Sequence, residues 1–232
     1  MEKQKYTAIV LAAGSGKRMN SKVHKQYLII QDRPVLYYSL KAFEDSAVDK
    51  IVLVVGKGEE KFCRKEIVDK YRISKVKAIV EGGKERYHSV FEGLKQTSDA
   101  DYVLIHDGAR PFVNQEIIRR CMQEVQKYQA CVVGMPVKDT IKIADEEGYA
   151  KQTPDRKNVW MIQTPQTFSY ALIYEAYEEM LKTEDTAITD DAMVLERIKG
   201  KKSKLIEGSY RNIKITTPED LLIANVYLQH PE

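Results

Sequence analysis

The fold of this chain is decided by an apolar run that leads directly into a glycine-rich turn, YTAIVLAAGSGKRM at residues 6–19. Residues 6–12 are almost continuously apolar, which is typical of a strand buried on both faces of a parallel sheet. The run is far shorter than the roughly 18 apolar residues that a membrane span requires, and the turn does not resemble a signal-peptide cleavage site. We therefore predict that residues 6–12 form the first, fully buried strand.

The rest of the chain alternates between apolar runs and amphipathic stretches. Further strands are predicted at residues 51–55, 76–80, 102–106 and 130–135. Helices are predicted from residue 34 and at residues 59–71, 85–96, 114–128, 170–181, 190–199 and 218–228. This order predicts an α/β fold with a three-layer, mostly parallel sheet, in which ligands bind at the carboxyl ends of the strands.

Composition and charge narrow the class of protein. The chain has 232 residues, of which 43% are hydrophobic and 31% charged, and this fits one domain spanning residues 1–232. A net charge of +3 is too small for a general nucleic-acid binder, so we expect neither nucleic acid nor a membrane as partner. The first 25 residues hold six basic side chains and one acidic one, which indicates a small anionic ligand. Three scattered cysteines, Cys63, Cys121 and Cys131, indicate a reducing, cytoplasmic location.

Residues 138–157 depart from this alternation. Polar and apolar residues alternate from 138 to 143, and a turn at 146–148 would let residues 149–156 return as a second strand. The pattern predicts a β-arm at about 138–157, with a disordered linker as the alternative. An isolated hairpin is only marginally stable, so we expect the arm to pack on a second subunit.

The glycine-rich turn matches neither of the two common phosphate-binding motifs. A dinucleotide-binding fingerprint needs a third glycine where Met19 stands, and a P-loop needs serine or threonine where Arg18 follows Lys17. The small residues still allow backbone N–H groups to approach an anion. Arg18 and Lys25 add full positive charges, so we predict that this segment binds the phosphates of a nucleotide.

The turn is one of several motifs that occur together in this chain. They are AAGSGKRM at 12–19, KQY at 25–27, GG at 82–83 with ER at 85–86 and SV at 89–90, HDGARPF at 106–112, PVKDT at 136–140, DR at 155–156 before Trp160, QTPQ at 163–166, TDDA at 189–192, and GS at 208–209 with NIK at 212–214. With these motifs the chain resembles the cytidylyltransferases that join CTP to a sugar-alcohol phosphate. The nearest resemblance is to the 2-C-methyl-D-erythritol 4-phosphate cytidylyltransferase family of the non-mevalonate isoprenoid pathway, over nearly the whole chain. Two positions differ from that family, because Lys84 replaces a frequent aspartate and Leu11 a frequent proline.

The resemblance implies a three-layer, Rossmann-like nucleotidyltransferase sheet with a protruding β-arm, and it implies a role for each matching residue. CTP would be bound by Ala12, Ala13, Gly14, Ser15, Gly16, Gly83 and Ser89. The sugar-alcohol phosphate would be bound by Asp107, Arg110, Thr140, Thr164 and Thr189. The catalytic cations would be Arg18, Lys25, Arg156 and Lys214. Thr140 and Arg156 lie on the arm and would reach into the neighbouring subunit's site, which implies a homodimer.

The implied reaction transfers CMP from CTP to 2-C-methyl-D-erythritol 4-phosphate and releases pyrophosphate. The attacking phosphate monoester has a second pKa of about 6, so it is already ionised at neutral pH and needs no general base. We accordingly interpret His106 as a packed residue, and Asp190 and Asp191 as the start of a helix. The expected cofactor is Mg²⁺ bridging the CTP phosphates, with no metal site built from protein ligands.

Two other functions remain open at this point. A ribitol-5-phosphate cytidylyltransferase would share the glycine-rich turn and the QTPQ segment; the segments at 107–110 and 189–192 and Trp160 favour the methylerythritol enzymes, by resemblance only. A non-catalytic nucleotide-binding module is the alternative of another class. All four expected catalytic cations, Arg18, Lys25, Arg156 and Lys214, are present in the sequence, and this argues against a non-catalytic module.

Overall fold

The computed structural model describes residues 3–14, 23–183 and 187–230. The strands are β1 Tyr6–Ala12, β2 Ile29–Ile30, β3 Arg33–Pro34, β4 Lys50–Val55, β5 Val76–Glu81, β6 Tyr102–Asp107, β7 Ala130–Pro136, β8 Ile143–Ala144, β9 Ala150–Gln152, β10 Trp160–Ser169 and β11 Lys204–Glu207. The α-helices are α1 Val35–Glu44, α2 Glu60–Cys63, α3 Arg86–Leu94, α4 Gln115–Tyr128, α5 Tyr170–Met180, α6 Asp191–Lys199 and α7 Pro218–Gln229. Short 3₁₀ turns occur at Lys25–Tyr27 and Arg156–Asn158, and a π-helical segment, Arg64–Asp69, follows α2.

A mixed sheet in the order β11-β7-β10-β6-β1-β4-β5 forms the centre of the described part of the chain. β10 is antiparallel to both of its neighbours, β6 and β7, and the other neighbouring strands pair in parallel. β1 lies between β4, which follows it in the chain, and β6, which the chain reaches later on the opposite side. The strand order therefore reverses between β1 and β6, and this reversal opens a crevice at their carboxyl ends.

Helices cover both faces of the sheet, which explains why the first strand has no polar face. Side chains alternate between the two faces of a strand. Ala8 and Val10 pack in a cluster with α1 and α4 residues, whereas Ile9 packs in a second cluster with α3 and α5 residues. These three side chains are fully buried. The predicted α/β fold with a three-layer, mostly parallel sheet is confirmed.

Two strands of the sheet were not predicted from the sequence. β10 contains buried polar residues, Gln163, Thr164, Gln166 and Thr167, so its central part lacks an apolar pattern. β11 is short and mostly exposed at the edge of the sheet. The helical stretch predicted at residues 59–71 consists of α2 followed by the π-helical segment, Arg64–Asp69.

The predicted β-arm coincides with a small antiparallel ribbon formed by β8 and β9. Its residues are exposed, and Tyr149 at its turn is 71% exposed. The Asp145 carboxylate accepts hydrogen bonds from the N–H groups of Glu147 and Tyr149, which stabilises the turn. That this ribbon protrudes as an arm onto a second subunit stays a prediction.

None of the helices in the described ranges is long and apolar enough to cross a membrane.

Candidate functional site

A first cavity of about 360 Å³ lies at the crevice between β1 and β6. Its lining comprises Leu11, Ala12, Ala13, Gly14, Lys25, Gln26, Gly83, Lys84, Glu85, Arg86, Ser89, Asp107, Ala109 and Lys214. The volume is within the range of small-molecule sites. The lining combines small residues, among them Ala13 and Gly14, with cationic side chains, among them Lys25 and Lys214.

Lys25 reaches the first cavity because a buried glutamine ties its turn to β1. Gln26 is 2% exposed, and its side-chain amide donates a hydrogen bond to the carbonyl of Ala12. The adjacent Tyr27 hydroxyl donates to the Glu59 carboxylate over 2.7 Å. Burial, together with Cys63 and Glu59, raises the pKa of the Tyr27 hydroxyl well above its ordinary value, so it remains a donor. The two residues directly after Lys25 thus fix the turn.

The glycines after β5 bring their backbone close to the end of β1. A Cβ atom added at Gly82 would lie 2.6 Å from the Ala13 Cβ and 2.7 Å from the Ser89 Oγ, so a larger residue would separate these loops. The Ser89 hydroxyl accepts a hydrogen bond from the Gly83 N–H and donates to the Glu85 carbonyl, both over 3.2 Å. In this structure Ser89 therefore shapes the loop that lines the cavity.

A second cavity of about 250 Å³ lies beside the first. Its lining comprises Arg86, Asp107, Arg110, Ile162, Gln163, Thr164, Gln166, Thr189, Asp190 and Lys214. The two cavities share Arg86, Asp107 and Lys214, which we call the charged wall. A ligand in one cavity would therefore meet a ligand in the other at these side chains.

Asp107 at the end of β6 is the centre of the charged wall. Its Oδ2 lies 2.7 Å from Lys214 Nζ and 3.8 Å from Arg110 Nε, and its Oδ1 lies 3.4 Å from Arg86 Nε. Burial alone would raise the pKa of Asp107, but Arg86, Lys214 and Arg110 lower it far below its ordinary value. Asp107 is therefore ionised at neutral pH, and it keeps three cations at the junction of the two cavities.

Arg110 carries a donor that the described residues leave unused. Its Nη1 donates to the Asn212 carbonyl over 2.8 Å, which fixes the guanidinium. The buried Nε–H has no hydrogen-bond acceptor among the described residues, since the Asp107 carboxylate is too distant at 3.8 Å. This donor is suited to an anionic ligand in the second cavity.

His106 is a structural residue rather than a base. Its Nε2 is 3.1 Å from the Arg110 carbonyl, so that nitrogen carries the proton, and its Nδ1 accepts from the Thr164 hydroxyl over 3.0 Å. The Thr164 oxygen in turn accepts from the Asp107 N–H over 3.1 Å. Burial lowers the pKa of His106 to about 4. The imidazole is therefore neutral and holds β10 against the end of β6.

Gln166 of β10 holds the start of α6 at the second cavity. Its side-chain oxygen accepts from the N–H groups of Asp191 and Ala192 at 2.9 and 3.0 Å, and its amide donates to the Asp190 carboxylate. Asp190 also caps the helix by accepting from the Met193 N–H over 2.8 Å. The prediction of a helix start at these acids is confirmed, and the capping places Thr189 on the cavity lining.

The structure brings most of the predicted site residues together. Of the predicted residues, those that line the first cavity include Ala12, Ala13, Gly14, Lys25, Gly83, Ser89 and Lys214. Those that line the second cavity are Asp107, Arg110, Thr164, Thr189 and Lys214. Thr140 and Arg156 line neither cavity; they lie at the base of the β8–β9 ribbon, where Arg156 donates to the Lys138 carbonyl over 3.2 Å. Ser15, Gly16 and Arg18 lie outside the described residues.

Sequence reasoning did not assign a role to Arg86, Gln26, Gln163 or Gln166, although all four line the site. Arg86 and Gln26 belong to the quoted motifs. Arg86 follows a pair of glycines at the end of a predicted strand, and Gln26 follows the predicted catalytic Lys25; these positions are the signals that could have identified them. Gln163 and Gln166 also belong to a quoted motif, QTPQ, but their place beside the site could not be inferred because β10 itself was not predicted.

The mostly parallel sheet, with two adjoining cavities at its switch point, fits the nucleotidyltransferase class that the motifs predict. Within that class the chain belongs to the family described as IspD: 2-C-methyl-D-erythritol 4-phosphate cytidylyltransferase, whose model matches residues 6–230. The family expected from the motifs is thus confirmed.

Relatives of this family match the chain along nearly its full length. A 2-C-methyl-D-erythritol 4-phosphate cytidylyltransferase of Lachnoclostridium phytofermentans is 50% identical over 226 residues, covering 97% of either chain. One of Lachnospira eligens is 53% identical over 225 residues, covering 96% of this chain and 99% of the relative. The crystal structure of 4-diphosphocytidyl-2C-methyl-D-erythritol synthase from Anaerococcus prevotii superposes with a TM-score of 0.86 at 38% identity, covering 98% of this chain and 97% of that one.

Proposed function

We propose that this chain transfers CMP from CTP to 2-C-methyl-D-erythritol 4-phosphate, giving 4-diphosphocytidyl-2-C-methyl-D-erythritol and pyrophosphate. One observation carries the proposal. The cavity that contains the residues expected to bind CTP shares the charged wall with the cavity that contains the residues expected to bind the acceptor phosphate. Membership of the family supplies the identity of the two substrates.

In the proposed reaction, an ionised oxygen of the acceptor phosphate attacks the α-phosphorus of CTP. A new P–O bond forms, the bond from the α-phosphorus to the oxygen bridging the β-phosphate breaks, and the electron pair leaves with pyrophosphate. The nucleophile has lost its proton before it binds, because its second pKa is about 6. The engagement of both His106 ring nitrogens inside the protein supports a route without a general base.

The main obstacle to this reaction is repulsion between two polyanions, and the proposed answer is fixed positive charge. Lys25 would contact the triphosphate from the first cavity. Lys214 would contact both substrates from the charged wall, and the unused Nε–H of Arg110 would bind the acceptor phosphate. We also propose a triphosphate contact for Arg18, on the resemblance of its motif alone.

Magnesium is proposed as a partner of the nucleotide rather than of the protein. Carboxylates that line the two cavities are Glu85, Asp107 and Asp190. Asp107 is paired with cations, and the other two cap α3 and α6. Residues 3–14, 23–183 and 187–230 contain no group of three or more histidine, cysteine or acidic side chains suited to a metal ion. The residues present therefore fit a Mg²⁺ ion that the CTP phosphates hold, neutralising part of their charge.

We further propose a homodimer in which Thr140 and Arg156 complete the partner's site. Both residues are exposed and neither lines the first or the second cavity, which supports a role on a second subunit. The whole chain 1–232 is proposed to act as one domain in the cytoplasm. Its three cysteines are buried and free, which fits a reducing compartment.

The test is a paired-substrate assay. Pyrophosphate release is measured with CTP and either 2-C-methyl-D-erythritol 4-phosphate or ribitol 5-phosphate at equal concentrations, with UTP as a nucleotide control. We expect turnover with the methylerythritol substrate and at least about tenfold lower kcat/KM with ribitol 5-phosphate. Preferential turnover of ribitol 5-phosphate, or CTP binding without pyrophosphate release from either acceptor, would contradict the proposal.

A further inference from the structure

Arg86 is one of the three charged residues that line both the first and the second cavity. It is the first residue of α3, directly after the loop that lines the first cavity, and its side chain is 30% exposed. The same side chain also lines the second cavity. Among the helices of the described residues, α3 is the one whose first residue is an arginine that lines both cavities.

The Arg86 guanidinium is fixed by a buried carboxylate. Nη1 and Nη2 each donate to one oxygen of Asp191 over 2.8 Å, which is a two-point pair. The Asp191 side chain is 0% exposed, and its Oδ1 also accepts from the Tyr177 hydroxyl over 2.5 Å. Burial opposes the charge on Arg86, but Asp191 and Asp107 raise the pKa of Arg86 above its ordinary value. The arginine is therefore permanently charged and has little rotational freedom.

The third nitrogen of the Arg86 guanidinium, Nε, is directed at Asp107. Nε lies 3.4 Å from Oδ1 of Asp107, on the opposite side of that carboxylate from Lys214, which lies 2.7 Å from Oδ2. The orientation of Asp107 is thus set from two directions. Because Asp191 begins α6, the same guanidinium also fixes the helix start that carries Thr189 to the second cavity.

These contacts indicate a role for Arg86 in the proposed reaction, and the inference rests on that proposed function. We infer that Arg86 is a positioning residue for CMP transfer: through Asp107 it sets Lys214, and through Asp191 it sets the acceptor side of the site. Its hydrogen bonds are to Asp107 and Asp191, not to the loop of the first cavity. Loss of this geometry should therefore impair use of the acceptor and the rate more than the binding of CTP.

The decisive variant is Arg86→Lys, which keeps the positive charge but cannot pair with Asp191 at two points and reach Asp107 at the same time. The full chain is measured for CTP affinity by calorimetry, for thermal unfolding, and for kcat and KM with the methylerythritol substrate. We expect kcat to fall by about tenfold to a hundredfold and the acceptor KM to rise, with the Kd for CTP within about twofold of wild type. Asp191→Asn, which weakens the same pair from its other side, should give the same pattern.

Lys95→Met is the matched control, because Lys95 follows the other end of α3, pairs with Glu92 and lines neither cavity. It should leave all three measurements unchanged. A kcat for Arg86→Lys within twofold of wild type would overturn the inference, since charge alone would then suffice. An equal loss of CTP affinity and rate, in step with a lower unfolding temperature, would overturn it as well by indicating a merely structural role. Failure of the wild-type chain to turn over the methylerythritol substrate would instead contradict the proposed function.

Discussion

Replacing Lys214 with methionine would remove one charge from the junction of the two cavities while keeping the length and the apolar stem of the side chain. Lys214 Nζ lies 2.7 Å from Asp107 Oδ2, and the side chain is 35% exposed. A phosphate oxygen at a similar distance would gain about 6 kcal/mol of Coulomb energy at an effective dielectric near 20. Solvent screening at a partly exposed lysine leaves roughly half of that.

A loss of about 3 kcal/mol of transition-state stabilisation corresponds to a kcat roughly a hundredfold lower. The stability of the fold should change by less than about 1 kcal/mol, because Lys214 is partly exposed and the buried Asp107 keeps Arg86 and Arg110 as opposite charges. The assay is the initial rate of pyrophosphate release with CTP and the methylerythritol substrate varied in turn, alongside urea unfolding.

Lys202→Met is the control for a general effect of net charge, because Lys202 is exposed and lines neither cavity. It should keep the wild-type kcat. The reasoning is refuted if Lys214→Met retains kcat within threefold of wild type, or if Lys202→Met loses as much activity as Lys214→Met.

Three further predictions concern the cations and the buried imidazole. Lys25→Ala should lower kcat more than it weakens CTP binding measured by calorimetry, because we propose that the Lys25 charge stabilises the transition state. An unchanged kcat would remove Lys25 from the mechanism. If Arg156 acts across a dimer, mixing inactive Arg156→Ala with inactive Lys25→Ala chains should restore part of the activity, and no recovery after confirmed subunit exchange would argue against a shared site. Because burial lowers the pKa of His106 to about 4 from 6.5, the unfolded state takes up the proton first as the pH falls. The free energy of unfolding should therefore decrease by about 3 kcal/mol between pH 6.5 and pH 4 because of His106. Urea titrations of His106→Gln over the same pH range should show a decrease that is smaller by this amount.

Much of the site could be predicted because a parallel sheet gathers its strand ends at one edge. The apolar runs at residues 6–12 and 102–106 predicted two buried strands, and the polar residues that follow them were expected to meet. In the structure Gly14 and Asp107 line the same cavity. The motif order supplied the family, which the comparisons confirm.

The unpredicted part of the site lies on β10 and in the pairs that it organises. β10 runs antiparallel between β6 and β7, and it brings Thr164 to His106 and Gln166 to the start of α6. Gln163, Thr164 and Gln166 can be buried there because they hydrogen-bond to distant backbone and side chains. The local sequence pattern of the strand therefore resembles a loop. A helix or strand can be predicted from periodicity, but a buried polar strand depends on partners that the local sequence does not contain.

The sequence by itself determined the alternation of strands and helices, the edge at which ligands bind and the chemical character of the residues there. These properties follow from side-chain period and strand direction, both of which are local. Only the tertiary structure decided that Arg86 pairs with Asp191, 105 positions away, and that both adjoin Asp107. Such pairs form because a buried charge needs an opposite charge within a few ångströms, and the complete fold determines which charge that is.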